Sequence, residues 1–81
     1  MSMVTLLKDS ADLLRGRLVR HKAGQPLWRI AVDMNTGRQA GDADYIHADL
    51  LARFLRGQPL KLAKLKRIED WCARCEARED T

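Results

Sequence analysis

Cysteine, histidine and aromatic residues are scarce in this chain: two Cys, two His, two Trp, one Tyr and one Phe among 81 residues. A structural zinc site needs four close ligands. Cys72 and Cys75 stand three apart, but His21 and His47 lie far away in other segments, so no metal site is expected. A redox Cys-x-x-Cys follows a strand and opens a helix. Here the pair falls well inside a helical pattern, which reads as two reduced thiols on an apolar face and fits a cytoplasmic location. Tyr45 and Phe54 are too few for a base-stacking platform. The five glycines are scattered at turns and form no phosphate loop. No Ser/His/Asp or Cys/His set has a spacing suited to nucleophilic catalysis, so an enzyme is not expected, nor a cofactor. No apolar run approaches the ~18 residues of a membrane span. The stretch MSMVTLLKDSADLL has no basic lead and no long apolar core, so it does not read as a secretory signal.

Hydrophobic residues make up 46% and charged residues 32%, the balance of a folded, soluble chain. The length allows one domain, 1–81, with a thin core. Net charge is +4, unevenly spread: between 53 and 67 there are six cations (Arg53, Arg56, Lys61, Lys64, Lys66, Arg67) and no acid. Arg15, Arg17, Arg20 and Lys22 form a second basic group, and acids gather after residue 68. Basic patches attract nucleic acid or acidic protein surfaces.

Residues 3–7 suit either a strand or the start of a helix, since Leu6, Leu7, Leu13 and Leu14 also make a helical stripe. Arg17-Leu18-Val19-Arg20-His21 precedes a turn at Gly24, where a positive φ is expected. The clearest strand signal is 26–34: Trp28, Ile30, Val32 and Met34 point one way, while Leu27, Arg29, Ala31 and Asp33 point the other. Asn35-Thr36-Gly37 reads as a turn, and 38–40 as a short edge strand. Asp42 and Asp44 precede a helix and suit its positive end. His47 reads as solvated or capping, and His21 as surface. Leu50, Leu51, Phe54 and Leu55 form a helical stripe stopped by Gly57 and Pro59. Leu62, Leu65, Ile68, Cys72 and Cys75 form a second, with Trp71 beside it and a short frayed tail at 79–81.

The expected fold class is therefore α+β: a small antiparallel sheet of three to four strands followed by two C-terminal helices packed on one face. Trp28, Ile30 and Val32 would face Leu50, Leu51, Phe54, Leu65, Ile68 and Cys72 in the core, leaving Arg20, Arg29 and Asp33 on an open sheet face. The two helices around Gly57-Gln58-Pro59 also admit a helix-turn-helix, although they lack the third helix of a compact reader. That supports one functional reading: a small basic DNA-binding regulator of phage or plasmid origin, with Arg53, Arg56, Lys61, Lys64, Lys66 and Arg67 on phosphates.

The order of these elements, with Gly24, Gly37, Tyr45, Gly57, Pro59, Arg67-Ile68-Glu69 and Arg78-Glu79, resembles a family of phage-encoded anti-CRISPR proteins acting on the type I-F surveillance complex. The likeness runs from about residue 4 to 80. It implies a four-stranded sheet backed by two helices, and a non-enzymatic inhibitor that docks on the complex's backbone subunits in the host cytoplasm and blocks target DNA. The family's contacts are two tyrosines and a glutamate on the open sheet face. Asp33 matches the glutamate, while Arg20 and Leu6 or Leu7 fall where the tyrosines stand. Arg20, Arg29 and Asp33 are thus the expected partner-binding residues.

Overall fold

Among the residues described by the computed structural model, 3–79 with side chains from residue 11 onward, there are four α-helices and no strand. They are α1 (Met3–Lys22), α2 (Leu27–Met34), α3 (Ala48–Leu55) and α4 (Leu62–Glu79). The expected α+β class is corrected to all-α. The tail beyond residue 79 and the side chains of Leu6 and Leu7, where a contact was expected, lie outside the described residues.

The physical reason lies in residues 3–40. A strand needs a neighbour to accept its backbone hydrogen bonds, whereas a helix satisfies its own. Residues 38–40, the expected edge strand, run into Gly41-Asp42 and form no strand, and 17–21, expected on the other side of 26–34, belong to α1. Residues 3–22 instead make one helix whose Leu14 and Leu18 are buried. Residues 27–34 carry two overlapping patterns. The period-two set is Trp28, Ile30, Val32, Met34; the helical set is Leu27, Ile30, Ala31, Met34. The second prevails: Ile30, Ala31 and Met34 are buried, while Trp28 and Val32 are 64% and 66% exposed. Pro26 occupies the N-cap with extended backbone, and its carbonyl accepts from Ile30 N at 3.4 Å, so the ring's fixed φ starts the helix without losing a donor.

The turn after α1 also differs in detail. Ala23, not Gly24, holds the left-handed conformation, with φ 49°. Gly37 and Gly57 do adopt it, at 80° and 105°. Between α2 and α3 the chain crosses 36–47 without regular structure. Asn35 fastens it twice: its Nδ2 donates to the Ile46 carbonyl at 2.6 Å, and its Oδ1 accepts from Ile46 N at 2.7 Å. The fully buried Ile46 is thereby held in the core.

α1 packs on α4 and α2 on α3; α3 and α4, consecutive in sequence, barely touch. Residues 11–14 lie beside 62–65, and residues 17–21 beside 76–79, so α1 and α4 run in the same direction. Leu51 and Phe54 of α3, with Ile68, Trp71 and Cys72 of α4, complete the core around Leu18, Ile30 and Met34. Burial of each large side chain contributes about 1.5–3 kcal/mol. Of the expected core, Ile30, Leu51, Phe54, Ile68 and Cys72 are inside and Leu50 and Leu65 are half-buried, but Trp28 and Val32 are on the surface.

Candidate functional site

The basic segment 53–67 spans the corner between α3 and α4. α3 ends because Gly57 can take positive φ: Gly57 N donates to the Phe54 carbonyl at 3.0 Å and Gln58 N to the Arg53 carbonyl at 3.1 Å, a Schellman stop. Pro59 then prevents continuation. Arg15 of α1 ties the corner down, with Nε donating to the Phe54 carbonyl at 2.6 Å, a guanidinium nitrogen to Gln58 O at 3.1 Å, and its cation 4.6 Å above the Phe54 ring. α4 starts as the Lys61 carbonyl accepts from Lys64 N and Leu65 N, both at 3.0 Å.

The amino-terminal end of α4 holds no acid in its first turn, and two lysines, Lys61 and Lys64, flank it. This is the reverse of the usual compensation, since exposed backbone N–H groups already make that end positive. Arg53, Lys61 and Lys64 converge on one concavity of about 200 Å3 over Leu50, Pro59 and Leu60. Arg53 is paired along its own helix with Asp49. Arg56, Lys61, Lys64 and Lys66 have no acidic partner among the described residues.

Arg67 is different. Its side chain is only 12% exposed and donates to Asp44 Oδ2 at 2.5 Å, while Arg38 Nε donates to the same oxygen at 3.0 Å. The Arg67 bond, with the Arg38 bond beside it, holds the Asp44 carboxyl below its usual range. Arg67 therefore pins the 36–47 loop to α4. The expected role of Asp44 at the positive end of a helix is replaced by this bridge. Lys66 lies beside it, in a concavity of about 340 Å3 with Arg38 and Asp70.

Of the three expected partner-binding residues, Arg29 and Asp33 stand one turn apart on α2 and line one concavity with Trp71, whereas Arg20 lies on α1. Arg20 of α1 pairs with Glu79 of α4 at 3.0 Å. Asp33, expected to be free, accepts from the Trp71 indole Nε1 at 2.6 Å. Arg29 is exposed on α2, next to Trp28 and Val32. With no sheet among the described residues, the open sheet face assigned to Arg20, Arg29 and Asp33 is absent.

The least anticipated cluster sits where α1 and α4 end together. Arg17 grips Glu76 with two bonds, 2.9 Å to Oε2 and 2.6 Å to Oε1, and His21 Nε2 stands 3.0 Å from Oε2. His21 Nδ1 faces Glu79 Oε1 at 3.4 Å, and its side chain is 3% exposed rather than on the surface as expected. A possible signal was the recurrence of Leu14, Leu18 and His21 on one side of α1. Arg17, then His21, draws the Glu76 carboxyl down from 4.5 to about 2. A depressed carboxylate stabilises the fold above its ordinary titration range, and that contribution is lost as pH falls through the folded value. Denaturation midpoints are therefore expected to drop as pH falls from about 4.5 to about 2. Glu76→Gln should flatten this limb at the cost of a lower midpoint at pH 7; an unaltered acid limb in the variant would remove Glu76 as its source.

Cys72 is buried and Cys75 half-buried, as expected of thiols on an apolar face. Burial pushes the Cys72 thiol up from 9.0 to about 11 and raises Cys75 as well. The nucleophile is the thiolate, so native Cys72 should react with a thiol reagent about a hundredfold more slowly than in the denatured chain. Equal rates would contradict its burial. Among the described residues no three His, Cys, Asp or Glu side chains are placed to hold a metal ion. No helix among them is long and apolar enough to cross a membrane. No protein-family model, curated protein or solved structure matches the chain.

Proposed function

We propose that the chain is a non-enzymatic binding protein that holds the phosphate backbone of nucleic acid against the corner between α3 and α4. The carrying observation is the concavity at the positive end of α4 on which Arg53, Lys61 and Lys64 converge, the two lysines without acidic partners among the described residues. Cations at that end oppose the helix dipole by about 0.3–1 kcal/mol each. An anion between them would reverse the sign of that interaction, and backbone N–H groups there are ready donors to a phosphate oxygen. The slight packing of α3 on α4 favours backbone contacts over base reading by an inserted helix.

Binding to random duplex DNA measured across salt concentrations tests this. Three phosphates neutralised would give a log–log slope of about −3. Lys61→Glu with Lys64→Glu should weaken binding about tenfold or more and flatten the slope by about 2. A slope near zero, or a double variant that shifts duplex as well as the parent, removes the reading.

A second reading draws on the C-terminal half of the family resemblance, where two helices flank Gly57-Gln58-Pro59 and Gly37 forms its expected turn. Under it the chain is an anti-CRISPR protein that binds the type I-F surveillance complex and blocks target DNA. The contact would come from the exposed ridge of Trp28, Arg29 and Val32 on α2 in place of a sheet face. The purified chain would then co-elute with that complex at micromolar concentration, and Arg29→Glu would weaken the association. Absence of co-elution eliminates it.

A further inference from the structure

A carboxylate oxygen held by two guanidinium groups beside a lysine is an oxyanion site with an occupant already in it. Arg67 and Arg38 both donate to Asp44 Oδ2, at 2.5 and 3.0 Å. Lys66, without an acidic partner among the described residues, lines the same concavity of about 340 Å3. Asp44 fills this site incompletely. One oxygen serves both guanidinium groups, and Arg67 Nε stays buried without a hydrogen-bond partner among the described residues, a donor left unmet. The side chains of Arg38 and Asp44 are 39% and 27% exposed, so an anion in solvent can reach the pair. Asp70 also lines the concavity, where three cations face two acids, and one once Asp44 leaves.

We infer that this concavity is a second phosphate site, masked by Asp44 until a nucleic-acid phosphate displaces it. The source of that phosphate rests on the nucleic-acid reading. A phosphate presents more oxygens than one carboxylate oxygen supplies, and arginine pairs with it through two bonds. A nearly buried arginine that loses its carboxylate also demands another anion. Arg67 stands three residues beyond Lys64, about 4.5 Å along α4. Successive phosphates advance about 3.4 Å along a duplex, so a strand seated on Lys61 and Lys64 carries others close to Arg67. The loop keeps its place during the exchange, because Asn35 holds Ile46 by two bonds of its own. While Asp44 stays seated it competes with phosphate, which makes it an autoinhibitory contact.

Asp44→Asn removes the charge and keeps the shape. It should bind random duplex about tenfold more tightly than the parent chain and steepen the log–log salt slope by about 1. Asp70→Asn removes an equal charge from the same concavity without freeing an arginine, so it should change affinity less than about threefold. Inorganic pyrophosphate at about 5 mM, against sodium chloride of matched ionic strength, should raise the thermal midpoint of Asp44→Asn by about 5 °C and move the parent by less than about 1 °C. An Asp44→Asn midpoint unmoved by pyrophosphate overturns the site. A parent slope near zero removes the nucleic-acid reading, and the pyrophosphate result then decides the site alone. A parent that binds duplex while Asp44→Asn binds no more tightly than Asp70→Asn overturns the masking and leaves that reading standing. Should Asp44→Asn lose its helicity, the parent decides: its Arg38 and Arg67 Nε–H resonances should move as duplex is added, and resonances that stay fixed throughout overturn the inference.

Discussion

Replacing Ala31 by aspartate is expected to unfold most of the protein, while the same change next door, Val32→Asp, leaves the thermal midpoint nearly unchanged. Ala31 is 5% exposed on the inner side of α2, and Val32 is 66% exposed. A carboxylate forced among Ile30, Met34 and the helices beneath them would lose its water without gaining a partner, costing more than about 3 kcal/mol. A domain of this size has roughly 4–12 kcal/mol of stability in total. At Val32 the new charge stands in solvent, and surface changes usually stay within about 0.5 kcal/mol. At 4–8 °C per kcal/mol for so small a domain, the first change moves the midpoint by more than about 12 °C and the second by a few degrees at most. The comparison also tests the fold itself. An extended 26–34 segment, with Trp28, Ile30 and Val32 inward, requires the opposite order of effects. A tolerated Ala31→Asp beside a damaging Val32→Asp would sink the all-helical arrangement.

Phe54→Ala should cost about 3–5 kcal/mol, with Phe54→Leu losing much less. Phe54 is fully buried, so truncation leaves a cavity that the surrounding side chains close only in part. Its ring also carries the Arg15 cation at 4.6 Å, and its carbonyl, which survives the change, accepts from Arg15 Nε at 2.6 Å. Arg15 would thus keep its backbone anchors while losing its ring. Urea midpoints should shift with little change in slope, the mark of altered stability rather than altered unfolded surface. A cost below about 1 kcal/mol would mean that the α3–α4 corner is not packed around Phe54. Because that corner carries Arg53, Lys61 and Lys64, phosphate binding by the alanine variant should weaken together with its folding.

Much of the C-terminal half was legible from local pattern. Leu50, Leu51, Phe54 and Leu55 could only be one face of a helix, and Gly57 and Pro59 only its end. The Cys72 and Cys75 thiols belonged to the inner stripe of α4. The run of cations from 53 to 67 was also visible. Its division was not: Arg67 serves the loop through Asp44, a residue 23 positions away, and Arg53 is paired with Asp49. Nor could sequence foresee that Asp33 would hold the Trp71 indole, or that Glu76 would gather Arg17 and His21 across more than 50 residues.

Residues 3–34 needed the whole fold. LWRIAVDM satisfies a period of two through Trp28, Ile30, Val32 and Met34, and a helical period through Leu27, Ile30, Ala31 and Met34; eight residues are too few to separate them. The outcome depended on what each alternative could bury and bond. As a strand, 26–34 needed 17–21 and 38–40 beside it, but 17–21 belongs to α1 and 38–40 runs into Gly41-Asp42. As a helix it satisfied its own backbone and laid Ile30, Ala31 and Met34 against α3. Helix positions 48–55 and 62–79 were thus set by local spacing, whereas the shape of everything before them followed from which neighbours were available to receive it.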